Sequence, residues 1–313
     1  MKILVTGVGG DIGNSIGRIL KTSNSTSRLL GCDINGQSNW GSTFDELLIV
    51  PRADSLGYLT ELMRLVEAFN IDVIIPTSEP ELRRLFLEGI DTHFFGAKMI
   101  MANREALSVG FDKLATAEFL KANGLPFPWT LPVDGGEPIS FPCIMKNRFG
   151  AGGNDVRVVT ANDSTNALRS VFGADFIWQE HIGSPDDEYT CGVYRGENGS
   201  TRIIAFKRKL SAGVTAYAEV VKNDAIEKLC TDIAEAIKLN GAINVQLRFR
   251  GNQPVVFEIN PRFSSTVMFR HVLGFTDVLW ALSERVFSSL PTYVNTPKIG
   301  TRVVRNFGET VLP

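Results

Sequence analysis

The chain has 313 residues, 44% hydrophobic and 21% charged, enough to bury roughly three quarters of the surface its unfolded form exposes. That length argues for two or three domains, since one core seldom grows past about 250–300 residues. The 32 Lys and Arg nearly balance 34 Asp and Glu, leaving a net charge of −2, which argues against nucleic acid as a partner.

Cys32, Cys143, Cys191 and Cys230 are scattered, with no C-x-x-C pair. This argues against a zinc site or a disulfide framework and for reduced thiols in a cytoplasmic protein. The apolar run opening MKILVTGVGG is too short for a signal peptide or a membrane span, so no membrane association is expected.

Residues 2–6 (KILVT) read as a buried parallel strand, followed by glycines and the helix-like stretch IGNSIGRILKT. The alternation continues with strands at 29–33, 46–51 and 71–76 and helices at 55–69 and 79–89, the pattern of a doubly wound α/β sheet. FDKLATAEFLKANG then predicts a helix stopped by Gly124. Five of the 14 prolines fall in LPFPWTLPVDGGEPISFP, which marks turns and a subdomain boundary. Beyond it, FPCIMK, DVRVVT, FIWQEHI, DEYTCGVYR, TRIIAFKRKL, TAYAEVV, AINVQLRFR and PVVFEIN read as antiparallel strands, with helices near 162–173 and 223–239.

Three motifs could carry chemistry. Gly7-Val-Gly9-Gly10-Asp11-Ile-Gly13 lies between strand and helix, with Asp33 twenty residues further on, similar to a dinucleotide fingerprint but spaced GxGGxxG. It is open to two readings: an NAD site, or a tight turn whose helix N-terminus faces any anionic ligand. In PCIMKNRFGAGGNDVRVV, Lys146 ends an apolar strand ahead of Gly150, Gly152 and Gly153, a lysine and a glycine loop able to cover phosphates. In AINVQLRFRGNQPVVFEINPR, Val245, Leu247 and Phe249 form one apolar face and Val255, Phe257 and Ile259 another. The two share a side only if paired residue numbers sum to an even value. A three-residue loop, 251–253, satisfies this and sets Gln246 opposite Glu258. Gln246, Glu258 and Asn260 then share a polar face offering hard oxygen ligands for Mg²⁺.

Taken together, these residues resemble the ATP-grasp superfamily, and within it the carbamoyl-phosphate synthase large chain and related stand-alone carboxylate-amine ligases. The resemblance implies an N-terminal Rossmann-like pre-ATP-grasp α/β domain (1–102), linker helices with a small α+β lid lobe (103–178) and a C-terminal lobe (179–313) holding nucleotide and metal. It implies that Gln246, Glu258 and Asn260 hold Mg²⁺ or Mn²⁺ on ATP, and that Arg262 stabilises the transferred phosphoryl group. Lys113 and Lys146 would contact the phosphates, and Gly150, Gly152 and Gly153 would form the lid loop. Glu180, His181 and Ile182 would meet the adenine and Glu188 the ribose, while either Arg208 or Lys209 would face the γ-phosphate or the substrate. Gly9, Gly10, Asp11 and Glu79 would border the acceptor site.

The implied activity is an ATP-dependent amide-forming ligation through an acyl phosphate, with small-molecule carboxylate and amine substrates and a possible homodimer. Two alternatives stay open: an NAD-dependent oxidoreductase or epimerase using the glycine turn, and a non-catalytic ATP-binding regulator.

Overall fold

The computed structural model describes residues 1–23, 27–35, 43–150, 155–211, 213–287 and 297–306. The first unit runs β1 (Lys2–Thr6), α1 (Asp11–Ser23), β2 (Arg28–Asp33), β3 (Glu46–Ile49), α2 (Tyr58–Phe69), β4 (Val73–Ile75), α3 (Glu79–Leu87), β5 (His93–Phe94) and β6 (Ala97–Met99). Its sheet has the order β3-β2-β1-β4-β6-β5 and is parallel except at the β5–β6 hairpin. Ile3 and Val5 pack with Ile16, Ile19 and Leu20 of α1, while Leu4, Leu30 and Ile74 pack with Leu62, Leu65, Leu82 and Leu85 of α2 and α3. Burial on both faces is why these strands are continuous apolar runs without alternation.

The chain passes from β1 to β2 on one side, and β4 lies on the other, so a crevice opens where the strand order reverses. The glycine turn and the start of α3 flank it. Gly7 has φ +60°, and a Cβ there would stand 2.8 Å from Thr77 Oγ1; one at Gly13 would stand 2.5 Å from Gly7 O. Helix and turn approach more closely than a side chain permits, which accounts for both glycines.

Next come α4 (Arg104–Gly110), α5 (Lys113–Ala122), β7 (Thr130–Pro132), β8 (Cys143–Asn147), β9 (Arg157–Val159), α6 (Thr165–Phe172) and β10 (Phe176–Glu180). The four strands form an antiparallel sheet, β7-β10-β8-β9. Cys143, Met145 and Trp178 bury against Val159 and Leu168, so by alternation Ile144, Lys146 and Gln179 face the opposite way. The boundary expected after residue 178 falls inside β10, because that strand stays paired through Glu180 with Cys143.

The last unit comprises β11 (Glu188–Arg195), β12 (Thr201–Ser211), β13 (Val214–Val221), α7 (Asp224–Ala236), β14 (Gly241–Arg250), β15 (Gln253–Asn260), α8 (Val267–Val272), α9 (Asp277–Phe287) and β16 (Arg302–Val304). Its sheet order is β15-β14-β11-β12-β13-β16. One face, with Cys191, Val193, Val245 and Leu247, is covered by Ile226, Leu229 and Ile233 of α7. The other carries Tyr194, Ile204 and Phe206, which share one cluster with α1, α8 and α9. Further along that second face stand Gln246, Arg248, Glu188 and Arg208, where the sheet leaves the apolar cluster and opens on a cleft.

The β14–β15 hairpin corrects the expected loop. Arg250 pairs with Gln253 across a two-residue turn, Gly251-Asn252, whose first residue has φ +59°. A register shift beside Gln246 inserts Phe257 as an extra residue on β15. Gln246 still pairs with Glu258 and Asn244 with Asn260, because the bulge restores the parity that the turn removes. Val256, not Phe257, therefore joins Leu247 in the core.

Candidate active site

A cleft of about 790 Å³ lies between the three sheets, lined at one end by β8, β10, β12, β14 and β15 and at the other by the glycine turn and the start of α3. Five cationic side chains from separate segments, Lys113, Lys146, Arg208, Arg248 and Arg262, converge on it. Lys146 on β8 is 6% exposed, and its Nζ sits 5.4 Å from the centroid of the Phe257 ring. Lys113, the first residue of α5, is 9% exposed and donates to the carbonyls of Arg148 and Gly150 at the base of the glycine loop. Asp112 holds that helix start in place by capping Leu114 N and pairing with Arg148 at 2.6 Å.

Arg208 on β12 and Arg248 on β14 grip opposite oxygens of Glu188, at 2.6 and 2.8 Å, and Arg208 also donates to Gln246 Oε1 at 2.8 Å. Burial pushes the Glu188 carboxyl up, but the two guanidiniums outweigh it and hold the group below the usual carboxylate range. Burial also drives the Lys146 ammonium down to about 8, helped by Lys113 and Arg248 and opposed by Glu258 and Glu188.

Glu258 accepts from Asn260 Nδ2 at 3.1 Å, and Arg262 reaches Asn260 Oδ1 at 3.4 Å. Burial lowers the Arg262 guanidinium, opposed by Glu79 and Glu258. Conversely, burial raises Glu79, while Arg262, Lys113 and Arg83 pull it back. Among the described residues no group of three His, Cys, Asp or Glu could hold a metal. The oxygen donors are one carboxylate and two amides, a set that suits Mg²⁺ if phosphate oxygens complete the coordination.

Of the expected residues, Lys113, Lys146, Gly150, Glu180, Ile182, Glu188, Arg208, Gln246, Glu258, Asn260, Arg262, Gly10, Asp11 and Glu79 all line this cleft. Lys209 does not: it is exposed, because strand alternation turns it away from buried Arg208. His181 is half-buried and Gly9 exposed, and neither lines the cleft. Glu180 reaches the cleft, but its carboxylate is tied to Arg250 and to Trp129 N, so it braces the end of β10 against β14. Gly152 and Gly153 lie outside the described residues.

Asn244 and Arg248 also line the cleft, and both share the parity of Gln246 on β14, the signal by which the sequence marks them. No such signal exists for Phe257, which faces the cleft only because of the bulge. Asp33, central to a dinucleotide reading, accepts from Gly9 N of the glycine turn at 2.8 Å and from Asn35 N at 3.2 Å. The NAD alternative has no support.

A family model described as an ATP-grasp domain matches residues 111–266. Among the curated proteins compared, none matches the sequence. Solved structures with the same fold include N5-carboxyaminoimidazole ribonucleotide synthetase from Thermus thermophilus, with TM-score 0.75 and 18% identity over 97% of this chain and 82% of that one. A biotin carboxylase complex from Campylobacter jejuni gives TM-score 0.71 at 16% identity, covering 93% and 72%. An L-amino acid ligase from Bacillus licheniformis gives 0.65 at 15%, covering 91% and 73%. Family match and three-sheet architecture agree: the chain carries an ATP-grasp domain, spanning residues 111–266.

Proposed function

We propose that the protein is an ATP- and Mg²⁺-dependent carboxylate-amine ligase. The observation that carries this reading is the meeting of Lys113, Lys146, Arg208, Arg248 and Arg262 with the oxygens of Gln246, Glu258 and Asn260 in one cleft. Phosphoryl transfer asks for positioning and charge neutralisation more than covalent help, and this set supplies both. Three of the solved relatives are a ribonucleotide synthetase, a biotin carboxylase and an amino acid ligase, which supports the class.

In this reading Ile144, Ile182 and Phe257 form the apolar slot for the base, and Lys146 and Lys113 take phosphate oxygens. Gln246, Glu258 and Asn260 would hold Mg²⁺ or Mn²⁺, which when bound neutralises phosphate charge and fixes its geometry. Arg262, beside Glu258 and Glu79, faces the substrate carboxylate as one of its oxygens attacks the γ-phosphorus and ADP leaves. The amine nitrogen then attacks the acyl carbon, phosphate departs and the amine gives up a proton. The start of α3 and the glycine turn enclose the acceptor.

We place the division between lid and C-terminal lobe after Glu180, where β10 ends, and the first unit at 1–102. Four free, buried cysteines fit a cytoplasmic setting, and a homodimer through the first unit completes the proposal. Among the described residues no helix is long and apolar enough to cross a membrane. The decisive experiment is an ADP-release screen of carboxylate and amine pairs, with Glu258→Ala as control. ADP release that depends on both substrates is expected; failure to bind Mg-ATP would sink the reading, and binding without turnover on any pair would favour a regulator.

A further inference from the structure

Three separate chain segments wall the acceptor end of the cleft: the turn at 7–12, the start of β13 at Gly213–Val214, and the loop Arg262–Ser265 after β15. One side chain outside the lining joins all three. Arg305, just past β16, donates through Nη1 to Asp11 Oδ1, through Nη2 to Ser265 O and through Nε to Thr215 O at 3.0 Å. Its own backbone N–H donates to Ala216 O at 2.8 Å, and its guanidinium lies 5.1 Å from the centroid of the Phe269 ring.

The chemistry explains why arginine stands there. A guanidinium presents its N–H groups in a rigid planar fork, so three acceptors on different segments are held at set angles to one another. Lysine offers a point charge on a flexible stem and cannot impose that geometry. The Arg305 side chain is 10% exposed, so water competes little for these bonds. Asp11 and Arg305 are 294 residues apart in sequence, and their ion pair ties the first unit to the last strand.

We propose that Arg305 is the positioning residue of the acceptor end: it fixes the mutual placement of the three segments that receive the second substrate, without touching that substrate. This rests on the ligase reading above. Arg305 would thereby set the KM for the acceptor and leave the nucleotide end alone, because its partners all lie at the far end from Lys146 and Phe257.

The test uses the full chain with Arg305→Gln, Arg305→Lys and Asp11→Asn, read by amide hydrogen exchange, Mg-ATP affinity and steady-state kinetics. Losing bonds from a charged donor should speed exchange about tenfold in Arg305→Gln around residues 8–14, 213–216 and 263–267 together. Exchange in β14 and β15 and the affinity for Mg-ATP should stay within about twofold of wild type, since no Arg305 bond reaches them. Asp11→Asn should loosen only 8–14, and Arg305→Lys should not restore the other two segments. On a carboxylate and amine pair that wild type turns over, Arg305→Gln should raise the acceptor KM about tenfold and spare the KM for ATP. Unchanged exchange at the three segments, a uniform rise across the large sheet, or equal rises in both KM values would overturn the proposal. Failure of wild type to bind Mg-ATP would defeat the ligase reading separately, and the exchange pattern would still judge the tie.

Discussion

Gln246 pairs directly with Glu258 across β14 and β15, although the two-residue turn joining those strands has the wrong parity to bring them together. The extra residue Phe257 makes up the difference. One bulge thus performs two tasks: it keeps Val256 and Ile259 in the core while turning both Phe257 and Glu258 toward the cleft.

Glu258 is the only carboxylate among the three proposed metal ligands, so Glu258→Ala should cut substrate-dependent ADP release by roughly 10²–10³ with the fold intact. Lys209→Ala should leave the rate unchanged, since that side chain points away from the cleft. Parallel turnover and circular-dichroism measurements on the two variants check both expectations.

Phe257→Ala removes the ring that floors the proposed base slot. A lost base–aromatic contact is worth about 1–3 kcal/mol, so Mg-ATP should bind roughly tenfold or more weakly in calorimetry. An unchanged dissociation constant would place the base elsewhere.

Lys146 makes nucleotide affinity pH-dependent. Burial has lowered its ammonium to about 8, so as pH rises through that value the free protein loses the charge that meets phosphate. Affinity for Mg-ATP should fall between pH 7 and 9, and Lys146→Arg, whose charge persists, should flatten the profile. Titrations across this range provide the measurement.

Glu188 neutralises two buried guanidiniums, so Glu188→Ala should cost about 3–5 kcal/mol of stability at neutral pH. The sign with pH follows from its depressed pKa. The unfolded state takes up the proton first, so the contribution is present above the ordinary carboxylate value of 4.5 and is lost as pH falls through the lower folded value. Denaturant unfolding of wild type and Glu188→Ala should therefore differ at pH 7 and converge at strongly acidic pH.

Much of the architecture was legible because its strands and helices are long enough to show their periods. The parallel core strands read as apolar runs, and β11 to β15 as alternations. The three-residue β6 and β16 and the two-residue β5 hold too few positions to reveal a period, and they exist only because a neighbouring strand edge accepts them. In α9, by contrast, DVLWALSERVF is long enough to carry a readable helical pattern.

The sequence by itself determined the polar row of Gln246, Glu258 and Asn260, the lysine near the end of β8 and the glycine turn after β1, because each is a local pattern of spacing or parity. Tertiary structure alone decided that Arg208 faces the cleft while Lys209 does not, that Arg248 shares Glu188, and that Arg305 reaches Asp11. Those relations depend on which strands become neighbours and where a bulge falls. Such choices arise from packing between distant segments, and spacing along the chain does not encode them.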